Sequence, residues 1–344
     1  MKRVLLFRFI GAMCAMCSVV AGAAVAPPLR LVHQYSLPPT VTGHFDHFAA
    51  DPSGRRLFIT AVDSHLFLVF NLSTGRLIKS LPMAIPRGVV YRKALNRIFV
   101  SDGSGTLRIF DSRNYAQLNS RPLEIDADPI IYDPGTQRIF VVNGGAKARH
   151  NYSYITAFNS VTGRQVGNIR LDGNDIEDMA VDSHGGRLFA NVQALDEVDV
   201  IDVRTLKLKD IWHLAHAKLN MGAAFDARDH RLFVACRKGG LLVLDSDTGR
   251  ELQRLAIGKV TDYVAFDPGT RRIFVSGGGG HGWVDVFQEE DANHYRLLQS
   301  LRTETGAATS LLVTSLGEYV VMVPSSKHRP AQVWVYDMGQ DGHR

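Results

Sequence analysis

The apolar residues of this chain come in short runs closed by turn-forming residues, a pattern that predicts strands. One such run is Tyr263-Val264-Ala265-Phe266, followed by Asp267-Pro268-Gly269. Proline presets one turn dihedral and glycine accepts positive φ, so Asp-Pro-Gly predicts a tight reversal. A second run, Arg272-Ile273-Phe274-Val275, leaves that turn. A third run ends in Asp in several places: Leu107–Asp111, Leu241–Asp245 and Val333–Asp337. Thr-Gly-Arg turns beginning at Thr74, Thr162 and Thr248 open into a fourth, amphipathic strand such as Leu77-Ile78-Lys79-Ser80-Leu81.

This four-strand unit repeats. The triplet Arg-(Leu/Ile)-Phe occurs six times, starting at Arg56, Arg97, Arg138, Arg187, Arg231 and Arg272, and Tyr319-Val320-Val321 reads as a degenerate seventh copy. From the second residue of each copy the spacings are 41, 41, 49, 44, 41 and 47. Six residues before the Leu or Ile stands Asp51, Asp133, Asp182, Asp226 or Asp267, while Arg92 and Thr314 take that place in the other two units. A four-stranded sheet that is apolar on both faces cannot bury itself, but a ring of such sheets can. The expected fold is all-β: a seven-bladed β-propeller of four-stranded antiparallel blades spanning residues 29–337. Only Met338 to Arg344 follow the last third strand, a short C-terminal tail. Leu29 to Leu37 resembles the outer strand at Leu77 to Pro82, so this N-terminal strand is expected to complete the last blade and remove two free sheet edges.

Residues 1–24 read as a signal peptide: basic Met1-Lys2-Arg3, an uncharged apolar stretch from Phe9 to Val20, and a small-x-small cleavage site at Ala21-Gly22-Ala23. Export to the periplasm or outside the cell is therefore expected, with no membrane span in the mature chain. Loss of Lys2, Arg3 and Arg8 from the 39 basic residues leaves 36 against 34 acidic ones, net +2, so the basic balance of the whole chain is no nucleic-acid signature. Cys14 and Cys17 leave with the leader. Cys236 remains inside an apolar run, as a buried thiol without a disulfide partner.

The units Asp133-Pro134-Gly135-Thr136-Gln137-Arg138-Ile139-Phe140-Val141 and Asp267–Val275 resemble the YVTN/YncE-like propeller repeat of exported bacterial proteins. The resemblance covers nearly all of the mature chain. It implies the propeller fold and an extracytoplasmic binding role, single-stranded DNA binding being attributed to some members. Phe stands here where that repeat carries Tyr.

Strand order puts the Asp-Pro and Thr-Gly-Arg turns on one face of the ring, and the longer loops, including Gly144–Ser153, Gln193–Asp196, Gly277–Gly282 and Pro324–Ala331, on the other. The innermost strands enter from that loop face at Asp46-His47, Arg87-Gly88, Asp128-Pro129, Glu177-Asp178, Met221-Gly222, Asp262-Tyr263 and Thr309-Ser310. The candidate ligand site is therefore His44, Asp46, His47, Arg87, Asp128, Glu177, Asp178 and Asp262 around one mouth of the central channel. Gathered carboxylates hold a divalent cation such as calcium, or a polar small molecule, or else accept backbone N–H groups of the next blade. Lys147, Arg149, His150 and Lys327-His328-Arg329, with Tyr152 and Tyr154, form a second candidate surface, suited to single-stranded nucleic acid. His281 in its glycine-rich loop precedes a strand rather than a helix, which removes the phosphate-cradle reading. No Gly-x-Ser-x-Gly, His-Glu-x-x-His or Cys-x-x-Cys pair follows the leader. The expectation is a binding or interaction protein, with a partner at the loop-bearing face. The alternative is a metal-dependent, lactonase-like hydrolase using the mouth carboxylates.

Overall fold

The computed structural model describes residues 27–339. The expected leader, with Cys14 and Cys17, and tail residues 340–344 lie outside the described residues. Seven four-stranded antiparallel sheets follow one another around a central axis, six of them with strands in simple chain order. Their innermost strands are Phe45–Asp51, Pro86–Arg92, Ile130–Asp133, Ile176–Asp182, Lys218–Asp226, Thr261–Asp267 and Ser310–Val313, defining blades 1 to 7. In blade 7 the outer strand is Arg30–Ser36, paired antiparallel with Gln332–Asp337, as the sequence predicts.

The triplets account for the core. Leu57, Ile98, Ile139, Leu188, Leu232 and Ile273, and the Phe after each, are all buried. Both faces of these second strands are covered because every sheet is sandwiched between two neighbours. The Phe packs forward against the Leu or Ile of the next blade: Phe58 clusters with Ile98, Phe99 with Ile139, Phe140 with Leu188 and Phe189 with Leu232. The ring continues through Phe233 with Ile273 and Phe274 with Tyr319, and closes where Val320 meets Leu57. Each interface is a separate apolar cluster, so stability is a sum of neighbour terms around a closed circle.

The seventh copy sits one residue earlier than its sequence pattern suggests. Glu318 pairs with Val313 as Arg272 pairs with Asp267, so Tyr319 takes the Leu/Ile place and Val320 the Phe place. The Asp-Pro turn is replaced there by a 3-10 turn at Thr314–Leu316, which removed the landmark that aligns the other copies.

The recurring Arg is an inter-blade strap. Arg56 donates to the Ser112 carbonyl at 2.5 Å, Arg138 to Val203 at 2.5 Å, Arg187 to Ser246 at 2.5 Å and Arg231 to Ala292 at 2.8 Å, each in the following blade. Arg97 likewise reaches the Val161 carbonyl. The turn Asp before it accepts local N–H groups, as Asp133 does from Gly135 and Thr136 at 3.0 and 2.9 Å. Where blade 7 has Glu318 instead of Arg, the charge is reversed and Arg55 of blade 1 donates to it at 2.8 Å. The Thr-Gly-Arg glycines are needed for space as well as dihedral: Gly75 has φ +68°, and a Cβ there would sit 2.2 Å from the Tyr35 ring of the closing strand.

Candidate functional site

Irregularities in the innermost strands set the mouth of the channel. Register shifts fall between Phe45 and Phe48, Pro86 and Val89, Ile176 and Asp178, Asn220 and Ala223, and Thr261 and Tyr263. The predicted entry residues Asp46-His47, Arg87-Gly88, Glu177, Met221-Gly222 and Asp262 therefore lie on bulges. A bulge sets two residues against one and re-aims side chains that regular alternation would commit to the blade faces.

His44, Asp46, His47, Arg87, Asp128, Glu177 and Asp262 line one cavity of about 200 Å³, together with Met221 and Arg237. A neighbouring cavity of about 120 Å³ shares Arg87, Asp128 and Glu177 and adds Asp126, Lys147 and Asp175. Asp178 is the exception among the predicted residues: its carboxylate accepts the Ala223 and Met179 N–H groups at 2.8 Å each, tying blade 4 to blade 5. Arg237 was not expected. It is the penultimate residue of the second strand of blade 5, 3.8 Å from Asp262, and the only sequence signal was a basic pair, Arg237-Lys238, closing an apolar strand. Gln193 was also missed; its amide donates to Glu177 at 3.1 Å.

Charges are unevenly matched. Arg87 donates to Asp46 Oδ2 at 2.9 Å and lies 3.7 Å from Asp128 Oδ2. His47 Nε2 faces the other oxygens of the same pair, 3.4 Å from Asp46 Oδ1 and 3.5 Å from Asp128 Oδ1. Burial works against a charge on His47, but the carboxylates of Asp46, Asp128, Asp178 and Asp262 outweigh it and push the imidazole up to about 9. Burial also opposes ionisation of Asp46, yet His47 and Arg87 hold it below the usual range. Asp128, with burial and then Asp46 against it, is pushed well above that range. Burial, then Asp175 and Asp262, push Glu177 up to about 7, and burial lifts Asp178 to about 6 against its hydrogen bonds. Asp262 is raised by burial and by Asp46. Asp128 Oδ1 and Arg87 Nε are buried without a hydrogen-bond partner among the described residues.

The second candidate surface is largely self-satisfied. Lys147 is 2.7 Å from Asp126, and His150 is 3.2 Å from Glu124. His150 stacks on Tyr152 at 4.6 Å, and the Arg170 guanidinium lies 4.1 Å from the same ring. Arg329 faces Glu304 at 3.6 Å. Cys236 is buried, and burial pushes its thiol up to about 12.

No protein-family model matches the chain, and no curated protein matches it in sequence. Solved structures resemble it in fold. A chain of the "Crystal Structure of Mitotic Checkpoint Complex" superposes with a TM-score of 0.73 at 12% identity, covering 97% of this chain and 98% of that one. The "Structure of U3-55K" gives 0.71 at 12%, covering 91% and 100%. The "Crystal structure of RRP9 WD40 repeats" gives 0.72 at 12%, covering 91% and 99%. These likenesses define the class: an all-β, seven-bladed propeller of four-stranded blades. They do not support membership of the YVTN/YncE family. Among the described residues no helix is long and apolar enough to cross a membrane.

Proposed function

We propose that this propeller is an extracytoplasmic binding protein of YncE-like type that takes a cationic ligand or partner group at the loop-face mouth of its channel. One observation carries the reading: Asp46, Asp128, Glu177 and Asp262 surround an open cavity with Asp178 beside it, and the basic groups lining it are two guanidinium groups, Arg87 and Arg237, and the imidazoles of His44 and His47. Buried carboxylates with too few counter-charges are held at a cost that a bound cation recovers. Rigid blades carrying irregular loops supply the geometry for such a seat. The expectation of export rests on the Lys2-Arg3 start, the apolar stretch to Val20 and the small residues at Ala21-Gly22-Ala23. Mass spectrometry of protein from the cell envelope is expected to show cleavage near Ala23; a chain still beginning at Met1 in the cytoplasm overturns it.

The seat is tested by titration and melting of the same variants. A panel of a diamine, arginine, lysine and calcium is titrated into the wild type and into Glu177→Gln and Asp262→Asn. Binding by the wild type is expected to strengthen as pH rises through about 7, because Glu177 gains its charge there. The Gln variant is expected to bind more weakly and lose that pH dependence while melting no lower than the parent. Unchanged binding with a lowered melting temperature makes these carboxylates scaffold. The metal-dependent hydrolase alternative draws on the same residues and differs by turnover, which an esterase and lactonase substrate screen reads directly.

A further inference from the structure

At one corner of the mouth the carboxylates and the imidazole converge more closely than elsewhere. One ligand atom from each of Asp46, His47 and Asp128 lies within 4.8 Å of the other two. The His47 Nε2 gaps of 3.4 and 3.5 Å to Asp46 Oδ1 and Asp128 Oδ1 are too long for N–H···O bonds, which cluster near 2.9–3.0 Å. They match the edge of a tetrahedron around an ion bonded at about 2.1 Å, which is ~3.4 Å. Among the described residues Asp128 Oδ1 is buried and accepts no hydrogen bond, its nearest cationic group being His47 Nε2 at 3.5 Å. The other oxygen of each carboxylate faces Arg87, which donates to Asp46 Oδ2 at 2.9 Å and sits 3.7 Å from Asp128 Oδ2. Such an outer hydrogen-bonding group is what orients carboxylate ligands of a metal. Asp46-His47 occupies the bulge of blade 1, and Asp128 enters from blade 3 just before its innermost strand. The cavity of about 200 Å³ in front leaves room for water as a fourth ligand.

We infer that Asp46 Oδ1, His47 Nε2 and Asp128 Oδ1 form a three-ligand site for a tetrahedral divalent metal of the zinc class, with its fourth position open to the channel mouth. The inference names a ligand for the seat proposed above and rests on that reading only in its location. Two oxygens and one imidazole nitrogen favour a borderline ion over calcium, which takes six to eight oxygens at longer distances. Of the other mouth carboxylates, Asp178 is spent on backbone N–H groups and Glu177 takes the Gln193 amide. Neither Glu177 nor Asp262 joins a ligand set at this spacing among the described residues.

The test uses tag-free mature protein freed of metal with a chelator. Zn²⁺ and Ca²⁺ are titrated separately by calorimetry, and Co²⁺ is added as a visible-absorption probe of tetrahedral geometry. One equivalent of Zn²⁺ is expected, with much weaker Ca²⁺ binding and an intense visible Co²⁺ spectrum. His47→Gln and Asp128→Asn are expected to weaken Zn²⁺ binding at least 100-fold and abolish the Co²⁺ bands. Glu251→Gln, on the outer strand of blade 5 and away from the mouth, is expected to leave both intact. No stoichiometric uptake, preference for Ca²⁺, or uptake unchanged in both ligand variants overturns the site. If a variant fails to fold, the wild-type Co²⁺ spectrum and stoichiometry still decide. Binding of organic cations is scored separately on Glu177→Gln and Asp262→Asn, so failure of the metal site and failure of the seat give different patterns.

Discussion

Asp199→Asn is expected to stabilise the protein at pH 8 by about 1–3 kcal/mol, because the amide carries no charge to be buried beside Glu197 and Asp172. Asp199 is 2% exposed, and its Oδ1 accepts no hydrogen bond among the described residues. Burial, then Glu197 and Asp172, push its carboxyl from 3.8 up to about 7. Blades 1 and 5 place Leu68 and Leu242 at the same point of their third strands, both fully buried. The sign follows from linkage. The folded state holds the Asp199 proton up to about pH 7, whereas the unfolded chain releases it near pH 4. This group therefore costs nothing below the unfolded pKa, costs more as pH rises, and reaches its full penalty above about 7. The gain in the Asn variant is expected to be largest at pH 8 and close to nil at pH 4. Paired denaturant melts at the two pH values check it; an Asn variant less stable than the parent at pH 8 shows that Asp199 has a partner after all.

Deletion of Leu29 to Leu37 is expected to have the larger effect, abolishing cooperative unfolding or driving aggregation. Among the described residues Arg30–Ser36 is the only pairing partner of the outer edge of Gln332–Asp337. Without it that edge presents unpaired backbone groups, a template for intermolecular pairing. The strand also binds sideways. The Leu29 N–H donates to Gln299 of blade 6 at 2.8 Å, and the Leu37 N–H donates to the Ala331 carbonyl at 2.8 Å. Tyr35 lies 5.8 Å from Phe70 of blade 1. One strand thus spans three blades, and its loss opens a ring whose interfaces depend on closure. Circular dichroism melts and size-exclusion chromatography of the truncated mature chain report the result; a melt like that of the parent means that blade 7 stands without it.

How much could be read in advance differs by feature. The triplets were legible because burial on both faces allows few residue types, and those types recur at each blade. The turn residues were legible because Asp133-Pro134-Gly135 has local chemistry. The register of the seventh blade was not, since Glu318 and Tyr319 keep the geometry without the letters. Asp199 was invisible for a related reason. In Val198-Asp199-Val200, alternation assigns Asp199 to a polar face, but a propeller covers both faces of a central strand. The mouth residues were found by equivalence of position. That equivalence could not tell Asp178, which is spent on the amides of blade 5, from Glu177, which faces the cavity.

The chain by itself determined the number of blades, the residues that fill their interfaces and the strand that closes the ring, because these follow from local periodicity repeated along the sequence. Only the tertiary structure decided where each strap lands, since the carbonyl that Arg56 reaches belongs to Ser112 in another blade. It likewise decided which charges meet at the mouth. Arg87, Asp46, His47 and Asp128 come from three blades, and their distances depend on bulges and on the curvature of the ring, which no stretch of sequence encodes alone.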